Sequence, residues 1–421
     1  MKKNLFCFIS VMAIMTGTTM FSSCTTDGYD DVVMESEPGS FAYDAEKAAG
    51  TSGGEIGLDQ GTGNGNSQAG IVTAGEWCDL KYWPFWSKLM QGNDYSDKSD
   101  YWQFYTNNRV AVSVTDASGK PLAGISVNLQ RQSGDIWETV TDNHGEANCW
   151  VGLYQHETAS AASLRITVDG KLMEGSPVLC PLDSLQGGAS VLETVSDRYV
   201  NHYTIAPKKT PKQQADIAFI VDATGSMMDE INFLKNDLED IITKTASVRS
   251  GMKMRTAALF YRDEGDEYLT RHSNFTDELV ETRDFVSKQK ADGGGDYPEA
   301  VHTALEKMLQ NLSWSNDART RLAFLILDAP AHHQTDVIAS LQKSITQCAR
   351  QGIRLIPVAA SGVDKNTEFM LRFFAIATGG TYVFLTNDSG VGFNHIAASV
   401  GPYEVEQLND LIVRLISYYT E

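Results

Sequence analysis

Basic residues are scarce in this sequence: 34 Lys and Arg stand against 54 Asp and Glu, a formal net charge of −20. A protein that holds a nucleic-acid backbone needs a basic face to displace counterions, and an electrostatic grip on anionic lipid needs the same sign of charge. The composition excludes both. Familiar catalytic signatures are missing too. No Gly-x-Ser-x-Gly elbow is present, no His-Glu-x-x-His helix accompanies the adjacent His332 and His333, whose side chains should point apart, and no Gly-Lys-Ser/Thr follows Gly293–Gly295 to make a phosphate-binding loop. The stretch 59–66 lacks the acidic ligands of a calcium-binding EF-hand loop. None of the six cysteines has zinc-site spacing. The acids at Asp263, Glu264, Asp266 and Glu267 read as a solvated turn.

What is present begins with an export signal. Lys2 and Lys3 precede an apolar stretch, Leu5 to Met15, that is too short to cross a bilayer, and small or polar residues follow to Cys24. Phe21-Ser22-Ser23-Cys24 resembles a bacterial lipobox. That resemblance implies a signal peptide over 1–23, lipidation of Cys24, and a place in the outer membrane or at the cell surface of a Gram-negative bacterium, where two or more acyl chains would anchor the protein stably. Residues 24–70 then carry nine acids after the cysteine against Lys47 alone, with a glycine-rich run at 61–66. Such a segment cannot bury enough apolar surface to fold, and it reads as a flexible tether.

A chain of 421 residues with 42% hydrophobic content can build two folded cores beyond this tether. Ten aromatic side chains fall between Trp77 and Tyr105, and the segment 71–105 is expected to pack its rings on a neighbouring domain, with a sugar-stacking platform as the rival reading. Arg109 to Val114 reads as a strand. Ile125, Val127 and Leu129 recur at period two, and turn residues sit at 117–121 and 141–145. This pattern, with Asp116, Gly119, Pro121, Gly124, Asp142 and Gly145 at its turns, resembles the carboxypeptidase regulatory-like family, which implies an all-β sandwich over 106–207 acting as a spacer or interaction scaffold. Cys149 with Cys180 is the pairing expected if a bridge forms there. Cys348 lies at helical spacing with Val337, Ile338, Leu341 and Ile345 and reads as a core thiol.

From about Gln214 the pattern changes. Apolar strands at 216–221, 255–261, 322–327, 353–359 and 381–385 alternate with helical segments after Met227 and near 297–311, 335–350 and 366–378. That order means an α/β, doubly wound, mostly parallel and Rossmann-like sheet, whose ligands bind at the carboxyl ends of the strands. Oxygen-rich residues fall at those ends. Asp222, Thr224 and Ser226 follow the first strand, Asp328 follows the strand 322–327, and Gly293-Gly294-Gly295-Asp296-Tyr297-Pro298-Glu299 precedes a helix. Three such loops suit a hard divalent cation, with Mg²⁺ first and Mn²⁺ or Ca²⁺ also possible.

Asp222-x-Thr224-x-Ser226 resembles the Asp-x-Ser-x-Ser motif of the metal-ion-dependent adhesion site in von Willebrand factor A (vWA) domains, and the strings around Asp296 and Asp328 resemble one branch of that family. The resemblance spans 214–418. It implies that Asp222, Thr224, Ser226 and Asp328 bind the metal and that a partner protein docks through an acidic side chain. The family's second-loop threonine has no counterpart here, where Gly295 stands beside Asp296, so Asp296 is expected to act as a direct or water-mediated ligand and to moderate partner affinity. Adhesion or assembly without catalysis is the expected function; the rivals are a metal-assisted hydrolase and a carbohydrate-binding surface protein.

Overall fold

The computed structural model describes residues 69–421, except 132, 183–192, 392–394 and 396. The signal segment, Cys24 and nearly all of the tether lie outside the described residues. In chain order the elements are β1 (Thr73–Trp77), α1 (Trp83–Met90), α2 (Asn93–Trp102), β2 (Asn108–Thr115), β3 (Ser126–Arg131), β4 (Gly134–Val140), β5 (Glu146–Trp150), β6 (Arg165–Val168), β7 (Lys171–Leu172), β8 (Cys180–Pro181) and β9 (Val200–Thr204). The α/β half continues with β10 (Lys212–Asp222), α3 (Met228–Thr245), β11 (Lys253–Tyr261), β12 (Thr270–Thr276), α4 (Leu279–Ser287), α5 (Val301–Asn311), β13 (Ala318–Leu327) and α6 (Thr335–Gln351). It closes with β14 (Ile353–Ala359), α7 (Lys365–Thr378), β15 (Tyr382–Leu385), β16 (Glu406–Gln407) and α8 (Leu408–Thr420).

Period-two alternation builds the central layer, because successive side chains of a strand face opposite sides. In β10, Ala218 and Ile220 enter the apolar cluster shared with α5, α6 and α7. Ile217, Phe219 and Val221 enter the other, shared with α3 and α8. Both faces are therefore covered, as near-continuous apolar strands require. The strand order is β12-β11-β10-β13-β14-β15-β1-β16, and the five consecutive strands β11, β10, β13, β14 and β15 pair in parallel.

One expectation changes here. The segment 71–105 was expected to lie against a domain, but its first strand belongs to the sheet itself. β1 pairs antiparallel with β15, from Ala74 opposite Leu385 to Trp77 opposite Tyr382, and with β16 on its other edge. Backbone groups on the open side of β15 need partners when buried, and β1 supplies them from about three hundred residues upstream. The rings that follow do pack. Trp83, Trp86, Trp102 and Phe104 are buried, with Phe104 stacked on Phe373 at 4.0 Å and Trp86 on Phe369 at 5.9 Å. Buried rings of this kind offer no sugar platform.

A buried ionic knot fixes the same contact. Arg372 of α7 donates from Nε and Nη2 to Asp79 at 2.9 and 2.6 Å, and from Nη1 to the Ser399 carbonyl at 2.7 Å. Glu368, one turn earlier, accepts from Lys365 and from the Ser399 backbone. Every charge in this knot has an opposite charge beside it.

Residues 108–204 form two four-stranded sheets, β5-β2-β8 with β9 on β2, and β4-β3-β6-β7. Val110, Val112 and Val114 of β2 share one apolar cluster with Val127 and Leu129 of β3 and with Ile166 and Val168 of β6. Its two expected turns use one device twice. Asp116 accepts from the Ser118 and Lys120 N–H groups, and Asp142 accepts from those of His144 and Glu146. Gly145 is obligatory: its φ is +75°, and a Cβ there would lie 2.4 Å from the Val114 carbonyl oxygen. The expected Cys149–Cys180 bridge does not form, and the strand order explains why. Cys149 lies opposite Val110 and Cys180 opposite Arg109, on the two flanks of β2. Two strand spacings amount to about 10 Å, beyond the ~7 Å between Cα atoms that a disulfide allows. All four described cysteines are free, and Cys348 is a core thiol.

Candidate metal centre at the carboxyl edge of the sheet

From β10 the chain passes to β11 on one side, then to β13 on the other, so the carboxyl ends of β10 and β13 form the topological switch point of the sheet. Asp222 is the last residue of β10. Its Oδ1 accepts the Thr224 N–H at 2.9 Å and the Thr224 hydroxyl at 2.7 Å. The Thr224 and Ser226 hydroxyl oxygens lie 3.2 Å apart. Asp222 and Thr224 are fully buried, whereas Ser226 opens to solvent. Asp328 follows β13 directly and is also buried.

The second loop is tied to the first through its backbone. Gly225 N–H donates to the Gly293 carbonyl at 3.0 Å, and Asp292 N–H donates to the Ala223 carbonyl at 3.0 Å. Gly294 has φ +72°, and a Cβ there would sit 3.3 Å from the Thr224 Cβ and 3.2 Å from Glu299 Oε1. That glycine lets the Glu299 carboxyl come up beside Thr224. The third loop holds Glu299 from behind, since its N–H donates to the Pro330 carbonyl at 2.8 Å. Asp296, the residue expected in this role, is exposed. The carboxyl that the second loop buries is Glu299, which the sequence reading passed over.

Three buried carboxyls thus converge at this edge. Asp222 Oδ2, Asp328 Oδ1 and Glu299 Oε2 are all buried with no hydrogen-bond partner. Burial, offset in part by the hydrogen bonds from Thr224, pushes the Asp222 carboxyl up to about 6. Burial and then the neighbouring Asp222 raise Asp328 to about 7; burial, Asp222 and Asp263 raise Glu299 to about 9. A buried charge is tolerated only when paired or bound to a metal. Among the described residues no three His, Cys, Asp or Glu side chains stand at metal-holding spacing, so any coordination shell here draws on the Thr224 and Ser226 hydroxyls as well. The donor set is all oxygen, which suits a hard cation and not zinc.

Around the crevice the expected solvated turn is only partly solvated. Asp263 is buried and pairs with His332 at 2.8 Å, because Asp263 lies at the carboxyl end of β11 under the third loop. The carboxylate of Asp266 accepts the Gly294 N–H at 2.9 Å. Glu264 and Glu267 are exposed. His333 turns the other way and stacks on Tyr101 at 3.6 Å, so the two histidines do point apart.

Comparison with known proteins fits this geometry. A family model described as von Willebrand factor A domain matches residues 216–357. Residues 216–357 are the vWA-like part of the chain. Domains of this family generally mediate protein–protein interaction and often bind a divalent cation. The matched span leaves out β1 and β16, which complete the sheet from outside it. Among curated proteins the chain is 29% identical over 132 residues to the ariadne-like RING finger protein R811 of Acanthamoeba polyphaga mimivirus, which covers 31% of this chain and 12% of the relative. It is 33% identical over 119 residues to the alpha-protein kinase vwkA of Dictyostelium discoideum, covering 28% of this chain and 19% of the kinase. The chain therefore spans under a fifth of either relative's length. Two solved structures resemble it at low scores. They are the conserved hypothetical protein BatB from Bacteroides thetaiotaomicron, with TM-score 0.34, 12% identity and coverage of 49% of this chain and 98% of that one, and proximal thread matrix protein 1 from the mussel byssus, with TM-score 0.32, 13% identity and coverage of 49% and 46%.

Proposed function

We propose that this chain is a lipid-anchored envelope protein, not an enzyme, whose vWA domain grips an acidic side chain of another protein through a divalent cation, Mg²⁺ foremost. The observation that carries this reading is the set of three partnerless carboxyl oxygens on Asp222, Asp328 and Glu299, buried where the two central strands end. Asp222, Thr224, Ser226 and Asp328 would hold the cation, with Glu299 in place of the family's second-loop threonine and Asp296 reaching it only through water. When bound, the cation supplies the positive charge these carboxyls lack and an open position for a partner's carboxylate. The exposed Ser226 hydroxyl marks the side from which that carboxylate arrives.

The rest of the chain supports presentation. Among the described residues of 108–204, read as a carboxypeptidase regulatory-like spacer, there is no comparable convergence of partnerless carboxyls. The lipobox-like Phe21-Ser22-Ser23-Cys24 supports anchoring at Cys24. Two experiments test the reading. Calorimetric titration of Mg²⁺ into the purified protein should give millimolar or tighter binding that Asp222→Ala loses, and absence of binding to the unaltered protein would sink the metal centre. Labelled palmitate should enter the wild-type chain and not Cys24→Ala; equal labelling of both removes the anchor from the proposal.

A further inference from the structure

The surface around the crevice has a definite chemistry. Three of its side chains are large, apolar in body and exposed: Met228 at 58%, Tyr297 at 45% and Tyr101 at 43%. Met228 begins the helix after the first loop, Tyr297 lies in the second loop, and Tyr101 stacks on His333 just past the third. Tyr297 is also braced in place, its hydroxyl accepting the Asp364 N–H at 3.2 Å. Exposed rings held rigidly at a polar crevice are the usual anchors of a protein interface. Acids outnumber bases on these loops. Glu264 and Glu267 stand on the loop after β11, and Asp292 and Asp296 stand on the second loop, all exposed. Arg271 pairs with Glu267 at 3.1 Å, while Glu264 and Asp296 make no ion pair among the described residues. Arg262 is buried, donates to the Ala223 and Lys290 carbonyls, and makes long ion pairs of 3.9 Å with Glu267 and Asp292. Lys365 is committed to Glu368 and Ser399; Lys290, at the foot of the second loop, is exposed beside this rim.

An acidic partner side chain must cross that ring to reach the centre, and acid meeting acid is repelled unless the approaching segment carries compensating charge. We propose that the carboxylate recognised here is presented between Lys or Arg residues, on a segment with apolar side chains for Met228, Tyr297 and Tyr101, so that the acidic rim selects the partner while the centre binds it. This inference rests on the metal-centre reading above and adds the chemistry of the partner to it.

The test uses the full chain and three labelled peptides that share one Asp and two Leu and differ only in flanking residues, Lys, Ser or Glu. Binding is followed by fluorescence anisotropy in Mg²⁺ at low salt. The Lys-flanked peptide should bind roughly tenfold tighter than the Glu-flanked one, with Ser between. That ranking should shrink to less than about threefold in 0.5 M NaCl, where screening reaches only ~4 Å, and likewise in the double variant Glu264→Gln, Asp292→Asn. Calorimetric Mg²⁺ affinity of the variant should stay within about twofold of wild type, since both side chains are exposed to solvent. Equal binding of the three peptides in a Mg²⁺-dependent manner overturns the inference and leaves the metal centre standing. A ranking that survives in the variant, or failure of all three peptides to bind protein that takes up Mg²⁺, overturns it as well. Failure of Mg²⁺ itself to bind overturns both.

Discussion

Two groups of buried acids lie in this one α/β domain, and they differ in a single respect. Asp79 and Glu368 are enclosed with Arg372 and Lys365, and their oxygens accept hydrogen bonds from those cations and from Ser399. Asp222, Glu299 and Asp328 are as deeply placed, yet each keeps an oxygen without a partner. The first group joins two parts of the chain, and its counter-charge is built in. The second lacks a counter-charge, and burial therefore raises its carboxyls toward the neutral form. Depth alone does not distinguish the two groups. The side-chain cations beside the first do.

The sharpest way to break this contrast is to take the cation from the first group. Arg372→Met should cost about 3–5 kcal/mol in denaturant unfolding, because it strands the buried Asp79 carboxylate, and a loss below ~1 kcal/mol would mean that the knot is not what holds α7 to the aromatic segment. The reverse change in the second group should have the opposite sign. Asp222→Asn should stabilise the metal-free protein by roughly 1–3 kcal/mol at pH 8 while abolishing Mg²⁺ uptake in calorimetry. Glu299→Gln should weaken Mg²⁺ about tenfold without abolishing it, and Asp296→Asn should change it less than about twofold. Reversal of that order would return Asp296 to the site.

A pH titration sharpens the same comparison. The three crevice carboxyls have folded values of about 6, 7 and 9, above the ~4 of an unfolded chain. The native state therefore holds the extra protons. Metal-free stability should be highest near pH 4 as far as these groups decide it, and should fall as pH rises through the folded values. Mg²⁺ should restore stability at pH 7–8 and do little at pH 5, where Asp222 and Asp328 are largely protonated. A melting temperature that rises with pH in chelator, with no added effect of Mg²⁺, would contradict this account.

The legible parts of the fold share a physical cause. Strands 255–261, 322–327, 353–359 and 381–385 appear within one to four residues of their expected ends because strands covered on both faces read as unbroken apolar runs. The first-loop triplet and Asp328 stood out because each polar residue ends such a run. β1 did not stand out. Five residues, Thr-Ala-Gly-Glu-Trp, carry no periodicity, and their partner in the sheet lies about three hundred positions away. Strand β12 and helix α4 escaped for a related reason, as a half-exposed edge strand and a short helix have weak apolar patterns. Glu299 was present in the quoted string yet overlooked. It sits two residues before α5, where an acid ordinarily stabilises a helix N-terminus, and only the position of Gly294 shows that its carboxyl turns back to Thr224. Asp263 was misread because acids in a turn are usually wet, and nothing local announces His332 as its partner across sixty-nine positions.

The pairing of β1 has a mechanical side. Because β1 runs antiparallel to β15, its first residue, Thr73, lies at the edge where β15 ends, the same edge that bears Asp222 and Asp328. A pull between the N-terminal side of Thr73 and a partner held at that edge would travel along the rim of one sheet. Residues 108–204 lie off that path, and β1, clamped between β15 and β16, is the first element to feel the load.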